Sequence, residues 1–250
     1  MCLYLTIKMT CFWKVIKLLA TLFTDTPYII NGTDTKVEKF PFIVQVDFYE
    51  DILKDWLPSC AASIISDTWV VSAAHCFEGD DFSPEHRRIR AGATKLGEGG
   101  VIHNVEAVYN NPNYGKAAKF DGDISLVKLK TPLQFTDTIK AVDINLSKNV
   151  PTNSPVHYVG WGDLFVGGPE SEILQYVTVE TVNLAKCAES YKRQYGSEVV
   201  TQNMICAGNW GMGGQDACQG DSGGPLCYNG VLYGIVSWGH FCNTNKVISS

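Results

Sequence analysis

An all-β barrel or sandwich is the fold class this sequence predicts. Phe40–Phe48, Ala62–Ala73, Val101–Tyr109, Ile124–Lys130, Val156–Trp161, Ile173–Val182 and Leu226–Trp238 are rich in Val, Ile, Tyr and Phe, and clusters of Gly, Asn, Asp and Pro part them. That is the composition of strands and turns. Inside the last stretch, Asn229-Gly230 separates Pro-Leu-Cys-Tyr from Val-Leu-Tyr-Gly-Ile-Val, and Asn-Gly suits the two-residue primed turn of a hairpin. No regular helices alternate with these stretches, which argues against a parallel α/β sheet. Asn183–Tyr195 alone reads as a short helix.

Taken in order, residues 1–28 differ from the rest. Lys8, Lys14 and Lys17 precede or interrupt short apolar runs ending in Leu18-Leu19-Ala20-Thr21-Leu22-Phe23, a pattern like a secretory signal and too short to span a bilayer. They are read as a targeting and pro-segment, with no membrane partner. The 250 residues, 45% hydrophobic and 18% charged, suffice for one large domain or two small barrels. A net charge of −6 and the lack of a basic stripe exclude a nucleic-acid footprint. Nine cysteines suit an oxidising compartment, or a reducing one if they are metal ligands or buried thiols. The absence of Cys-x-x-Cys or His-x-x-x-His spacing weighs against metal. A secreted, extracellular protein is expected.

Asp216–Leu226 reads Asp-Ala-Cys-Gln-Gly-Asp-Ser-Gly-Gly-Pro-Leu. It sets one hydroxyl, Ser222, on a glycine-rich turn, where Gly220, Gly223 and Gly224 let successive N–H groups point into one concavity suited to an oxyanion. Ser-Gly-Gly alone is usually a surface turn. A serine is a weak nucleophile without a base, and His75, in Val-Val-Ser-Ala-Ala-His-Cys, is the candidate. A histidine after a strand is more often structural, so it needs company. Asp123 supplies it: Asp121-Gly122-Asp123-Ile124 leads into an apolar strand. Such an acid is ordinarily a turn residue, but against a histidine it fixes the tautomer and stabilises the imidazolium.

Ala-Ala-His-Cys, Asp-Ile-Ser-Leu and Gly-Asp-Ser-Gly-Gly-Pro, in that order, resemble the chymotrypsin/trypsin-like serine endopeptidases over roughly Ile29–Cys242. The resemblance implies two perpendicular six-stranded-type antiparallel β-barrels, the first over residues 29–137 and the second over 138–250, with the active site between them. It makes Ser222 the nucleophile, His75 the base and then acid, Asp123 the orienting carboxylate, and the N–H groups of Gly220 and Ser222 the oxyanion hole. Asp216 falls where trypsin-like members carry the acid of the specificity pocket, which implies cleavage after Lys or Arg; otherwise it is an exposed loop acid. Ser237-Trp238-Gly239 matches the segment that pairs with substrate backbone. Tyr191 and Val236 line the same region or are core. Asp221 matches the acid that receives the new amino terminus, here Ile29, when a zymogen is cut.

The resemblance also implies the disulfides Cys60–Cys76, Cys187–Cys206 and Cys218–Cys242, one of fifteen pairings the sequence permits. Cys227 is left as a buried free thiol. The family's calcium loop is not evident at 93–99, so neither metal nor cofactor is expected. Asn31-Gly32-Thr33 and Asn145-Leu146-Ser147 are sequons that permit glycosylation. The expected partners are protein and peptide substrates, with protein inhibitors compatible, and the protein reads as a monomer. Two departures stand out. Tyr28 precedes Ile29 where relatives carry Arg or Lys, so either the activator prefers aromatics or residues 1–28 are not the true pro-segment. Beyond Cys242 the family's closing strand and terminal helix are expected to be missing, leaving a barrel edge unpaired; a valine codon's GT at Lys246-Val247 suggests reading into an intron. The alternative functions are a protease-like binding protein without activity and a peptidase of chymotrypsin-like preference.

Overall fold

The computed structural model describes residues 32–79, 82–145, 150–164, 167–209, 220–239 and 246–249. The first barrel is built from β2 (Ile43–Glu50), β3 (Asp55–Ile64), β4 (Trp69–Ser72), β5 (Arg87–Ala91), β6 (Val101–Asn110) and β7 (Ser125–Leu129). They close in the order β2-β3-β4-β7-β6-β5. Val44, Val46, Ala62, Ile64, Val70, Ile89 and Val127 are fully buried inside it, because side chains alternate across each strand and one face of each meets the barrel axis.

The stretch Ala62–Ala73 is two strands, not one. Ser66 accepts hydrogen bonds from the N–H groups of Thr68 and Trp69, at 3.3 and 3.1 Å. That folds the chain between β3 and β4. β5 carries three arginines, yet it pairs in full with β2. The buried Asp47, opposite Arg88, accepts from Arg88 Nε at 2.8 Å and from Arg90 Nη2 at 3.4 Å.

A second sheet holds β1 (Thr33–Asp34), β8 (Pro155–Gly160), β9 (Gln175–Val182), β10 (Met204–Gly208), β11 (Pro225–Tyr228), β12 (Val231–Gly239) and β13 (Lys246–Ser249), in the order β1-β9-β10-β13-β12-β11-β8. β8 also pairs with β9 along six residues, so the sheet closes on itself with β1 appended. Val156, Tyr158, Val177, Val179, Leu226 and Val236 form its core. Val236 therefore belongs to packing. At the β11–β12 hairpin, Asn229 and Gly230 have φ of 50° and 78°, as an Asn-Gly primed turn requires.

α1 (Leu184–Tyr195) is the one α-helix among the described residues. Asn183 caps it, accepting from the Lys186 N–H at 3.1 Å, and Gly196 ends it at φ 72°. Cys187 on the helix bonds Cys206 on β10, and Cys60 bonds Cys76. Cys227 is free and buried.

One expectation is corrected. No strand's place stands open after Cys242, because Lys246–Ser249 pairs with β10 on one side and β12 on the other. The segment lacks the family's motif, but backbone pairing needs only an extended chain beside two free edges. Residues 1–28, Ile29, Asn31, Asp216, Cys218 and Cys242 lie outside the described residues, so the third disulfide and the specificity acid do too, as do Asn31 of the first sequon and Leu146 and Ser147 of the second.

Candidate active site

Register brings His75 and Asp123 together. β4 pairs with β7 antiparallel, Ser72 facing Ser125, so the chain just after β4 and just before β7 emerges at one end of the barrel. His75 follows in the 3-10 turn Ala74–Phe77, which the Cys60–Cys76 disulfide ties to β3. Asp123 precedes β7. Its Oδ1 accepts from the His75 main-chain N–H at 2.9 Å, and its Oδ2 lies 2.7 Å from His75 Nδ1. The Asp123 side chain is fully buried, while that of His75 keeps 21% of its surface exposed.

A carboxylate at Nδ1 requires the proton on that nitrogen, which leaves the Nε2 lone pair outward. Burial by itself pushes the Asp123 carboxyl up. The hydrogen bond and charge of His75, the Ser237 hydroxyl and the His75 main-chain N–H together outweigh that and hold it below the usual carboxylate range. It is thus an anion oriented on an imidazole.

The second barrel reaches this end through two segments. Ser237 on β12 donates its hydroxyl to Asp123 Oδ2 at 2.5 Å, so its side chain faces the acid. The turn before β11 brings Ser222, whose main-chain carbonyl accepts from Ala61 N–H at 2.8 Å. Ala61 adjoins Cys60, and Ser72 donates to the Ala61 carbonyl at 2.7 Å. Gly223, at φ 78°, passes so close that any Cβ would collide with Ser72 Oγ and the Ala61 carbonyl. Only glycine allows the serine turn to be seated against the first barrel in this way. The N–H groups of Gly223 and Gly224 are committed to the Val236 and Asp221 carbonyls, at 2.8 and 2.9 Å, so they do not join the concavity expected of three glycines.

Asp221 is 1% exposed and accepts from the Gly162 N–H at 2.9 Å. Beside Gly220 stands Glu170; burial first, then the charges of Asp163 and Asp221, push its carboxyl up. Along β12, Trp238 and Gly239 pair with Val247 and Lys246. Among the described residues no strand takes their opposite edge, since β11 pairs only as far as Ile235. Tyr191 packs its ring on Trp238 at 5.1 Å.

Sequence reasoning missed Phe120, which stacks on Trp238 at 5.8 Å and meets the His75 ring edge-on at 6.1 Å. It also missed the Ser237 hydroxyl as a ligand of Asp123. Phe120 stands in no local motif, and the motif that holds Ser237 points to substrate pairing, not to Asp123. The ligand atoms of Cys60, His75 and Cys76 lie within 4.8 Å of one another, but the sulfurs are bonded to each other and offer no thiolate.

A family model described as Trypsin matches residues 29–249. Trypsin, alkaline B of Manduca sexta is 38% identical over 215 residues, 86% of this chain and 82% of that protein. Trypsin of Phaedon cochleariae is 35% identical over 87% of this chain and 81% of its own length. Vitellin-degrading protease of Bombyx mori is 36% identical over 86% of this chain and 76% of its own length.

Proposed function

The chain belongs to the trypsin family and is a serine endopeptidase; from that premise we propose that it is secreted as a zymogen and cleaves peptide bonds after Lys or Arg, using Ser222, His75 and Asp123. The observation that carries this reading is the 2.7 Å contact of His75 Nδ1 with a buried Asp123, at the place where the Ser222 turn docks on Ala61.

Ser222 Oγ attacks the substrate carbonyl carbon and passes its proton to His75 Nε2. Asp123 holds the ring and stabilises its positive form. The carbonyl oxygen becomes an oxyanion, met by the N–H groups of Gly220 and Ser222. His75 then gives its proton to the leaving amine, the C–N bond breaks, and an acyl-enzyme remains on Ser222. Water repeats the sequence, the acid leaves, and Ser222 regains its proton.

The open edge of Ser237–Gly239 supports pairing with substrate backbone as an added strand. Asp216 provides the carboxylate for the substrate cation. Ile29, freed by cleavage after Tyr28, provides an amine for Asp221, whose deep burial favours such a partner. Two internal disulfides and the targeting-like prefix support secretion into an oxidising space, and the peptidase domain spans 29–250. Protein inhibitors and a monomeric state belong to the same reading.

The test is to express the chain, release the terminus at Ile29 and measure hydrolysis of Arg and Phe esters. Arg preference by at least about 100-fold, lost in Asp216→Ser, is the expected result, since an unpaired buried carboxylate costs several kcal/mol. Phe preference would overturn the specificity, and no turnover of either ester would favour the binding-protein alternative.

A further inference from the structure

A second buried acid stands two residues from Asp123 and faces the other barrel. Asp121 is 4% exposed. It accepts from the Thr201 hydroxyl and from Asn203 Nδ2, the latter at 3.1 Å to Oδ1 and 3.4 Å to Oδ2. Thr201 and Asn203 lie just before β10, on the second barrel, while Asp121 belongs to the loop between β6 and β7 of the first. Main-chain bonds fix the same residue within its loop: its N–H donates to the Ala118 carbonyl and its carbonyl accepts from Gly115, both at 2.9 Å.

Between the two acids the chain turns at Gly122, φ 61°. Its carbonyl accepts from Asn111 Nδ2 at 2.9 Å. The same carbonyl accepts from the Ile124 N–H at 2.9 Å, and a Cβ at Gly122 would displace the Asn111 amide. Asp121 and Asp123 are therefore two ends of one hydrogen-bonded turn. Among the described residues, Asp123 itself hydrogen-bonds to the second barrel through one hydroxyl, that of Ser237, and Phe120 of the same loop adds a ring contact on Trp238. The bonds of Asp121 add directional anchors that fix the orientation of the loop.

We infer that Asp121 is a positioning residue: its bonds to Thr201 and Asn203 clamp the Asp123 loop onto the second barrel and so set His75 against Ser222. The clamp also seats Phe120, its immediate neighbour, between Trp238 and His75. This inference rests on the peptidase reading above. The clamp acts through Asp123 and its loop.

The test compares the full released enzyme with Asp121→Ala, Asp121→Asn and Asn203→Ala, reading kcat and KM on one ester, with active sites counted by phosphonate titration. A displacement of reacting groups by about 1 Å costs on the order of 100-fold. Asp121→Ala is expected to lose about 10- to 100-fold in kcat per titrated site, with KM within about threefold. Asp121→Asn keeps one acceptor oxygen and should recover most of the loss; Asn203→Ala, which leaves the carboxylate and the turn in place, should show part of it. Should Asp121→Ala fail to fold, the Asn203→Ala result decides. A parent enzyme that turns over while the folded variants keep kcat within twofold and merely melt lower would overturn the clamp alone. A parent that neither titrates nor turns over would overturn the peptidase reading and the clamp with it.

Discussion

At Asp123 two opposing effects meet: burial favours the neutral acid, and three hydrogen bonds from His75 and Ser237 together with the charge of His75 favour the anion and prevail. A carboxyl held below its unfolded value of about 3.9 stabilises the fold above that pH, and the stability is lost as pH falls through the folded value. Ser237→Ala removes one donor, so acid unfolding followed by tryptophan fluorescence should have its midpoint at higher pH than in the parent. An unmoved midpoint would contradict the hydrogen bond's role. Glu170 has the opposite sign. Its raised value means that stability is fully present below about 4.3 and lost as pH rises through the folded value. Glu170→Gln should accordingly raise Tm at pH 7 and leave it nearly unchanged at pH 4. Single residues were the most legible scale. His75, Asp123 and Ser222 stand in short motifs, whereas Phe120 and Asp121 reach the site only through the register of β4 on β7 and the approach of the second barrel.

Elements were legible where pattern and packing agree. β9 shows regular alternation of buried and open positions, and Asn183 announced α1. β5 was missed because Arg87, Arg88 and Arg90 read as surface; burying Asp47 between two of them satisfies the charge, and one strand cannot disclose a partner on another. The start of β3 was missed because Pro58 argues against a strand, yet the β2–β3 register shifts between Val46 and Asp47, which faces Pro58, where a missing N–H is tolerated. β13 has no recognisable sequence signal, since its place comes from the edges beside it. Two predictions belong to this scale. Asn183→Ala should cost about 1 kcal/mol in urea unfolding, as loss of an N-cap does. On β11, burial pushes the Cys227 thiol up to about 12. Cys227 should therefore resist iodoacetamide in the native protein and react at once in urea; fast native labelling would contradict its placement in the core.

Across the whole molecule, the proposed site lies where the barrels meet. The first supplies His75 and Asp123, the second Ser222 and Ser237, and the contacts that hold them are Ala61 to Ser222, Ser237 to Asp123, and Asn203 to Asp121. The motifs named the chemical groups, but not which side chains fix one barrel on the other, because those pairs are separated by 80 residues or more. Asp123→Asn should leave the fold intact and lower kcat by about 10⁴-fold through the wrong histidine tautomer. The most direct measurement treats the released enzyme with a serine-directed phosphonate and locates the adduct by peptide mass spectrometry. The account predicts one adduct, on Ser222, formed far more slowly in His75→Ala. An adduct elsewhere, or none at Ser222 in the folded protein, would contradict it.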